Sequence, residues 1–357
     1  MKLISRSSAA KALSLAAVSA LVLSGCAAAP EEDAGVEPGS VDFLACAVSD
    51  EGNWNDKSFN EAVYTGLKQA ETELGITINA LESATPEDFE PNLQASVDAD
   101  CDLIIGVGFA LGDAITKISA ENPDLNFALV DSESASTNVK PLLFETAEAG
   151  FLAGYASADY STSKTIGTYG GLPFPSVTDF MTGYYFGAMQ WGIDNDTEVT
   201  VLGWDPATET GDFMNGFAPN NPEGLAIAKT QLQAGADVLL PVGGNQFTAA
   251  QSAIDELNPE AVFLGVDVDI AAQNPDLAPY ILTSIEKRMT IATFDVIKGL
   301  VDGAAFDATK YVGTLANKGV GITAFSDFAS KVSSGLADKL VELEAGIIDG
   351  TYKPKGE

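Results

Sequence analysis

From Val41 onward, short apolar runs alternate with longer stretches in which apolar residues recur every three or four positions. The short runs predict strands and the spaced stretches predict amphipathic helices. Phe43-Leu-Ala-Cys-Ala-Val48 reads as the first strand. The helix after it is capped by Asp56, carries Phe59, Ala62, Val63, Gly66, Leu67, Ala70 and Leu74 on one face, and stops at Gly75. Strands over 76–80, 103–107, 126–131 and 141–145 complete a first sheet, with helices marked by Phe89, Leu93 and Val97 and by Ala114, Ile115 and Ile118. A small-residue helix over 147–160 closes this series, and the rhythm restarts. Strands are predicted over 165–169, 199–203, 238–242, 262–266 and 280–284, with helices near 177–191, 223–234 and 247–257 between them. A helix over 289–301, a segment over 311–325 and a helix over 328–348 follow.

Strands alternating with helices imply crossover units and mostly parallel sheets. The fold class expected is therefore α/β, as two doubly wound parallel-sheet lobes. Lobe I is expected over 41–148, with returning segments near 286–305 and 326–349. Lobe II is expected over 149–285 with a segment near 306–325, leaving 350–357 as a C-terminal tail. No sequence repeat accompanies the repeated rhythm. In such sheets ligands bind beyond the carboxyl ends of the strands, so polar and glycine residues there become the candidates.

The first residues alter the class. Lys2, Arg6 and Lys11 precede an apolar stretch from Ala12 to Leu23, which is secretory in length and too short to span a membrane. Leu23-Ser24-Gly25-Cys26 then resembles the lipobox of bacterial lipoproteins. The resemblance implies a signal peptide over 1–25, lipid attachment at Cys26 and a flexible tether over 26–40. The 18 Lys and Arg against 51 Asp and Glu give a net charge of −33, which excludes nucleic acid as a partner and leaves the lipid as the only expected membrane attachment. The absence of His removes the commonest general base and zinc ligand. Neither metal nor cofactor is expected. Cys46 and Cys101 lie on predicted neighbouring strands, where an extracytoplasmic location permits a disulfide. Two small buried apolar residues are the alternative.

Several strand ends carry possible chemistry. Ser49 to Asn60 opens a helix with Asp50, Asn55, Ser58 and Phe59, which offer hydrogen bonds and a flat apolar face. Ile105 to Gly112 holds Gly108, where backbone can approach a ligand, but lacks dinucleotide spacing. Asp131 ends a strand, and Tyr169 to Pro175 forms a glycine-rich turn. Gly211 to Phe217, followed by Asn220 and Asn221, can bring an aromatic toward a cleft, and Pro241 to Gln246 contains Gly243. Asp267 and Lys287 end neighbouring strands and form either a ligand clamp or a structural bridge. No nucleophile elbow, phosphate loop or metalloprotease motif is present, so no catalytic residue is expected.

With these residues in place, the chain resembles the basic-membrane-protein lipoproteins, the purine-nucleoside receptor type of substrate-binding protein for ABC importers. The resemblance spans about Val41 to Ile348. It rests on Asp50-Glu-Gly-Asn-Trp-Asn-Asp-Lys-Ser-Phe-Asn60, Asn122 to Asp131, Ala149-Gly-Phe-Leu-Ala-Gly154, Gly235-Ala-Asp-Val238, Gly265-Val-Asp267 and Leu282 to Lys287. It implies a type I periplasmic-binding-protein-like fold, a lipid anchor on the extracytoplasmic face of the cell membrane, and a permease with its ATPase as partners. It further implies a purine nucleoside stacked between Phe59 and Phe217, with Phe213 as a rival second ring. Asp131, Asp267 and Lys287 correspond to ribose contacts, and Asp50 and Ser58 lie near the base edge. The run from Gly203 to Pro222 is longer than the family's usual one, and Asn55 stands where the pattern often has Asp or Ile. A receptor for riboflavin or a sugar, a ligand-presenting sensor lipoprotein and, less readily, a nucleoside-processing enzyme are the alternatives.

Overall fold

The structure is a computed structural model that describes residues 37–218 and 221–356. The expected signal peptide, the Cys26 lipid site, most of the tether and Asn220 lie outside the described residues.

In chain order the strands are β1 (Leu44–Ser49), β2 (Thr77–Leu81), β3 (Leu103–Val107), β4 (Asn126–Val130), β5 (Val139–Phe144), β6 (Thr165–Gly170) and β7 (Thr200–Leu202). They continue as β8 (Trp204–Asp205), β9 (Thr210–Gly211), β10 (Val238–Val242), β11 (Val262–Asp267), β12 (Ile281–Lys287), β13 (Tyr311–Gly313) and β14 (Val320–Ile322). The helices are α1 (Phe59–Leu74), α2 (Phe89–Asp98), α3 (Gly112–Glu121), α4 (Thr146–Tyr160) and α5 (Pro175–Asp194). They continue as α6 (Pro222–Gln233), α7 (Phe247–Leu257), α8 (Ile270–Gln273), α9 (Met289–Val301) and α10 (Leu336–Ile348).

Two six-stranded sheets result, in the orders β13-β5-β4-β3-β1-β2 and β14-β12-β11-β10-β6-β7. Their pairings are parallel except β12 with β14. β3 and β10 are buried along their whole length, as parallel strands covered on both faces must be. This is the α/β, two-sheet architecture read from the alternation. The long run after Gly203 folds into a two-stranded ribbon of β8 and β9, anchored by the buried Trp204, whose ring N–H donates to Thr182 at 3.0 Å.

α4 and α5 pack with their backbones nearly touching. A side-chain carbon on Gly154 would lie 2.0 Å from the Tyr184 carbonyl oxygen, and one on Gly187 would lie 1.9 Å from that of Phe151. The small residues of α4 are thus a packing requirement. Cys46 and Cys101 form a disulfide with Cα atoms 5.9 Å apart.

Two boundaries differ from expectation. The segment near 306–325 divides: Tyr311–Gly313 pairs with β5 in the first sheet, and Val320–Ile322 pairs with β12 in the second. Tyr311 is drawn to the first sheet by the edge of Phe144, with ring centroids 5.9 Å apart. The final helix, expected with the first lobe, belongs with α4 and α5. Leu336, Leu340, Leu343 and Ile347 are buried, Ser333 donates to Asp159 of α4 at 2.8 Å, and Lys339 pairs with Asp194 of α5 at 3.1 Å. The C-terminal tail is also held, since Lys355 meets Asp179 at 2.8 Å and Glu145 at 3.3 Å. Among the described residues no helix is long and apolar enough to cross a membrane.

Candidate binding site

The carboxyl ends of strands from both sheets converge on one cavity of about 190 Å³. A single water occupies roughly 10–15 Å³ on such a measure, so the space suits a molecule of many atoms. Asp50, Phe59, Gly108, Asp131, Phe217, Gly243, Asp267 and Lys287 all line it.

The first half supplies an acidic wall. Asp50, just past β1, accepts from the Asn60 amide at 2.7 Å and from the Gly52 backbone at 3.0 Å. Burial pushes its carboxyl above the ordinary range, against the pull of those two bonds. A side-chain carbon on Gly108 would sit 2.8 Å from Asp50 Oδ2, so the glycine is what lets β3 end beside this carboxylate. Asp56 caps α1 by accepting from the backbone N–H groups of Asn60, Ser58 and Glu61 at 2.8, 2.9 and 3.1 Å. Burial raises its carboxyl to about 6 despite these bonds.

The polar centre is arranged differently from the expected pair. Lys287 is not bound to Asp267; its ammonium ion-pairs with Asp131, with the two side chains only 2% and 6% exposed. Lys287 also lies over the rings of Phe59, Phe180 and Phe144, at 5.1, 5.5 and 5.6 Å from their centroids. Asp267 instead accepts from the Ser58 hydroxyl at 2.8 Å. Burial raises the Asp267 carboxyl to about 6, opposed by the Lys287 charge and the Ser58 bond. The Asp131 carboxyl is likewise raised by burial, with Lys287 pulling it down. Asp131 and Asp267 both leave their strands in the left-handed region, with φ of 64° and 71°. This backbone, uncommon for residues other than glycine, turns each carboxylate out of its sheet.

Two expected residues are placed elsewhere. Asn55 is exposed on the loop before α1, where its backbone N–H donates to Asn53 at 2.9 Å, and it does not line the cavity. That loop turns through left-handed backbone at Asn53 and Lys57, which directs Asn55 outward. Ser58 is fully buried behind the wall and reaches the cavity through Asp267 rather than at a base edge beside Asp50. Of the two rival rings, Phe217 lines the cavity, whereas Phe213 packs its ring against Trp204 at 6.2 Å.

Sequence reasoning passes over Asp56, Phe109, Phe174, Val177, Phe180 and Asn245 as lining residues. Phe109, Phe174 and Asn245 stand inside strand-end motifs that draw attention by their glycines. Asp56 is visible only as a cap. Val177 and Phe180 show only a helical spacing, which core residues share. The result is a pocket of aromatic faces with hydrogen-bond acceptors and a single ammonium, suited to a flat ring bearing hydroxyls. Among the described residues no group of three or more His, Cys, Asp or Glu is arranged to hold a metal.

A family model described as ABC transporter substrate-binding protein PnrA-like matches residues 43–349. A CD4+ T-cell-stimulating antigen of Listeria innocua is 28% identical over 96% of this chain and 97% of its own. An ABC transporter nucleoside-binding protein, BmpA, of Lactococcus lactis is 27% identical over 96% of both chains. Among solved structures, an ABC transporter solute-binding protein of Aeropyrum pernix superposes with a TM-score of 0.78 at 23% identity, covering 87% of this chain and 92% of that one.

Proposed function

Because this chain belongs to the PnrA-like family of ABC transporter substrate-binding proteins, we propose that it is a lipid-anchored receptor that captures a purine nucleoside and delivers it to a permease. Membership in the family implies a permease and an ATPase as partners. The observation that carries the ligand reading is the enclosure of Lys287, Asp131 and Asp267 in one cavity with Phe59 and Phe217.

Phe59 and Phe217 flank the base, one from each half of the protein. Asp131 and Asp267 accept hydrogen bonds from ribose hydroxyls, and Lys287 donates to a ribose oxygen while balancing the Asp131 charge. Hydrogen bonds to charged groups contribute about 1.5–3 kcal/mol each. Asp50, held by Asn60, accepts from a donor on the base edge. The nucleoside-binding relative supports this choice of ligand through its name. Binding between two halves couples capture to closure, and closure is what a permease can read. Cys26 carries the lipid that keeps the receptor on the extracytoplasmic face. The protein performs no chemistry on its ligand.

Calorimetry with adenosine, guanosine, riboflavin and ribose tests this reading. Micromolar or tighter binding of a purine nucleoside, with no comparable binding of the other two, is the expected result. Binding of riboflavin or ribose in preference to both nucleosides overturns it.

A further inference from the structure

The cavity and a second groove beside it meet at one pair of rings. Both are lined by Phe109, Ala110 and Phe174. The groove is otherwise built from first-half residues such as Asp113, Thr116 and Glu133. Phe109 and Phe174 therefore stand between the cavity and this groove.

The two rings come from opposite halves. Phe109 follows β3 of the first sheet, and Phe174 stands between β6 of the second sheet and α5. They stack with centroids 4.8 Å apart and planes 29° apart. Phe174 in turn rests against Phe217 at 6.1 Å. Phe109 remains 37% exposed, so the core of its own half does not require the ring.

Two further contacts between the halves at this cavity are polar. Lys287 with Asp131 and Ser58 with Asp267 use groups that a ligand would also engage. The aromatic pair uses none of them. It can hold the mouth shut whether or not a ligand lies behind it.

We propose that Phe109 and Phe174 form an aromatic latch across the mouth of the cleft and set how fast a bound ligand leaves. The effect on ligand release rests on the binding reading above; the contact between the halves does not. A stacked pair of this geometry corresponds to about a three- to tenfold bias toward the closed state. Lid opening of this kind commonly limits release.

The test uses Phe109→Ala and Phe109→Leu, the second of which keeps apolar bulk without a ring. Hydrogen exchange of the ligand-free protein is followed at the amides of residues 108–112 and of Gly171, Leu172, Phe174, Ser176 and Val177. Release is followed by diluting protein loaded with radiolabelled adenosine or guanosine into unlabelled nucleoside. Faster exchange in both segments, with release accelerated about three- to tenfold in Phe109→Ala and less in Phe109→Leu, is the expected result. Wild-type exchange, or wild-type release in both variants, overturns the latch. If the unmutated protein binds neither nucleoside, the ligand reading falls, and exchange alone decides the latch: acceleration supports it and no change overturns it.

Discussion

The Ser58 hydroxyl donates to the Asp267 carboxylate at 2.8 Å across 209 positions of chain, while Lys287 is taken by Asp131. Each bond joins a residue of the first half to one of the second. The polar centre is thus two crossed pairs, one neutral donor with one carboxylate and one ammonium with the other. A hydroxylated ligand of the kind proposed would meet acceptors whose positions are already set.

Lys287→Met leaves Asp131 buried without its counter-charge. Breaking a buried ion pair from one side typically costs about 3–5 kcal/mol, whereas removing both charges costs far less. Urea denaturation of Lys287→Met and of the double variant with Asp131→Asn separates the two effects. The double variant regains most of the lost stability and still binds nucleoside at least about tenfold more weakly, the minimum expected from losing charge-assisted bonds. Recovery of binding together with stability would show that the pair is only structural.

Phe59→Ala removes the first-half ring proposed to flank the base. Stacking is worth about 1–3 kcal/mol per base in proteins that bind single strands, so affinity falls by about five- to 150-fold. Calorimetry with a nucleoside and with free ribose checks the assignment, because only the nucleoside loses a stacking partner. An equal proportional loss for both ligands would assign Phe59 to support of Lys287, whose ammonium lies 5.1 Å from the ring centroid.

Through Asp267, stability and binding are expected to respond to pH in opposite senses. Asp56 and Asp267 both sit at about 6, above the 3.8 of a free carboxyl, because burial disfavours their charge. The native state therefore holds these protons between about pH 4 and 6 while the unfolded chain has released them. Their contribution to stability is complete below about pH 4 and is lost as pH rises through about 6. For Asp267 the upper bound is roughly 3 kcal/mol. Affinity rises across the same window, since ionised Asp267 is the stronger acceptor for a hydroxyl. Urea midpoints from pH 4 to 7.5, compared with Asp267→Asn, show the variant gaining relative stability as pH rises; parallel curves would remove Asp267 as the source.

Opening the Cys46–Cys101 bridge loosens the unfolded chain without touching the cavity. The bridge spans 55 positions, and a loop of that length corresponds to about 4 kcal/mol in the chain-entropy view. Cys46→Ala with Cys101→Ala lowers the urea midpoint accordingly, and the folded fraction binds ligand with unchanged affinity. A change in affinity would mean that strain passes from the amino ends of β1 and β3 to their carboxyl ends.

The two-sheet fold was legible because its signal is local and repeated. The apolar runs at Leu103–Val107 and Val238–Val242 are strands for the same reason, burial on both faces. The fate of the last segments was not legible. Tyr311 and Val320 lie nine positions apart on similar short runs, and only the rings and edges they meet send them to different sheets. Strand-end position drew attention to Asp131, Asp267 and Lys287, and all three line the cavity. Their pairing was hidden because it depends on how the halves approach each other, which leaves no mark on spacing. The left-handed turns at Asp131 and Asp267 aim both carboxylates, and neither turn has a neighbouring glycine or proline to announce it. Asn55 was misplaced for a related reason, since the motif fixed its order along the loop but not the direction it faces.

The path of the chain carries a further consequence. It passes from one half to the other at Glu145, returns at Arg288, and goes over again between Gly313 and Val320. Neither half is a continuous stretch, so no single cut or truncation releases one as a free module. The two sheets are separate, but neither half is separate in sequence, and one cannot be exchanged or engineered without the other.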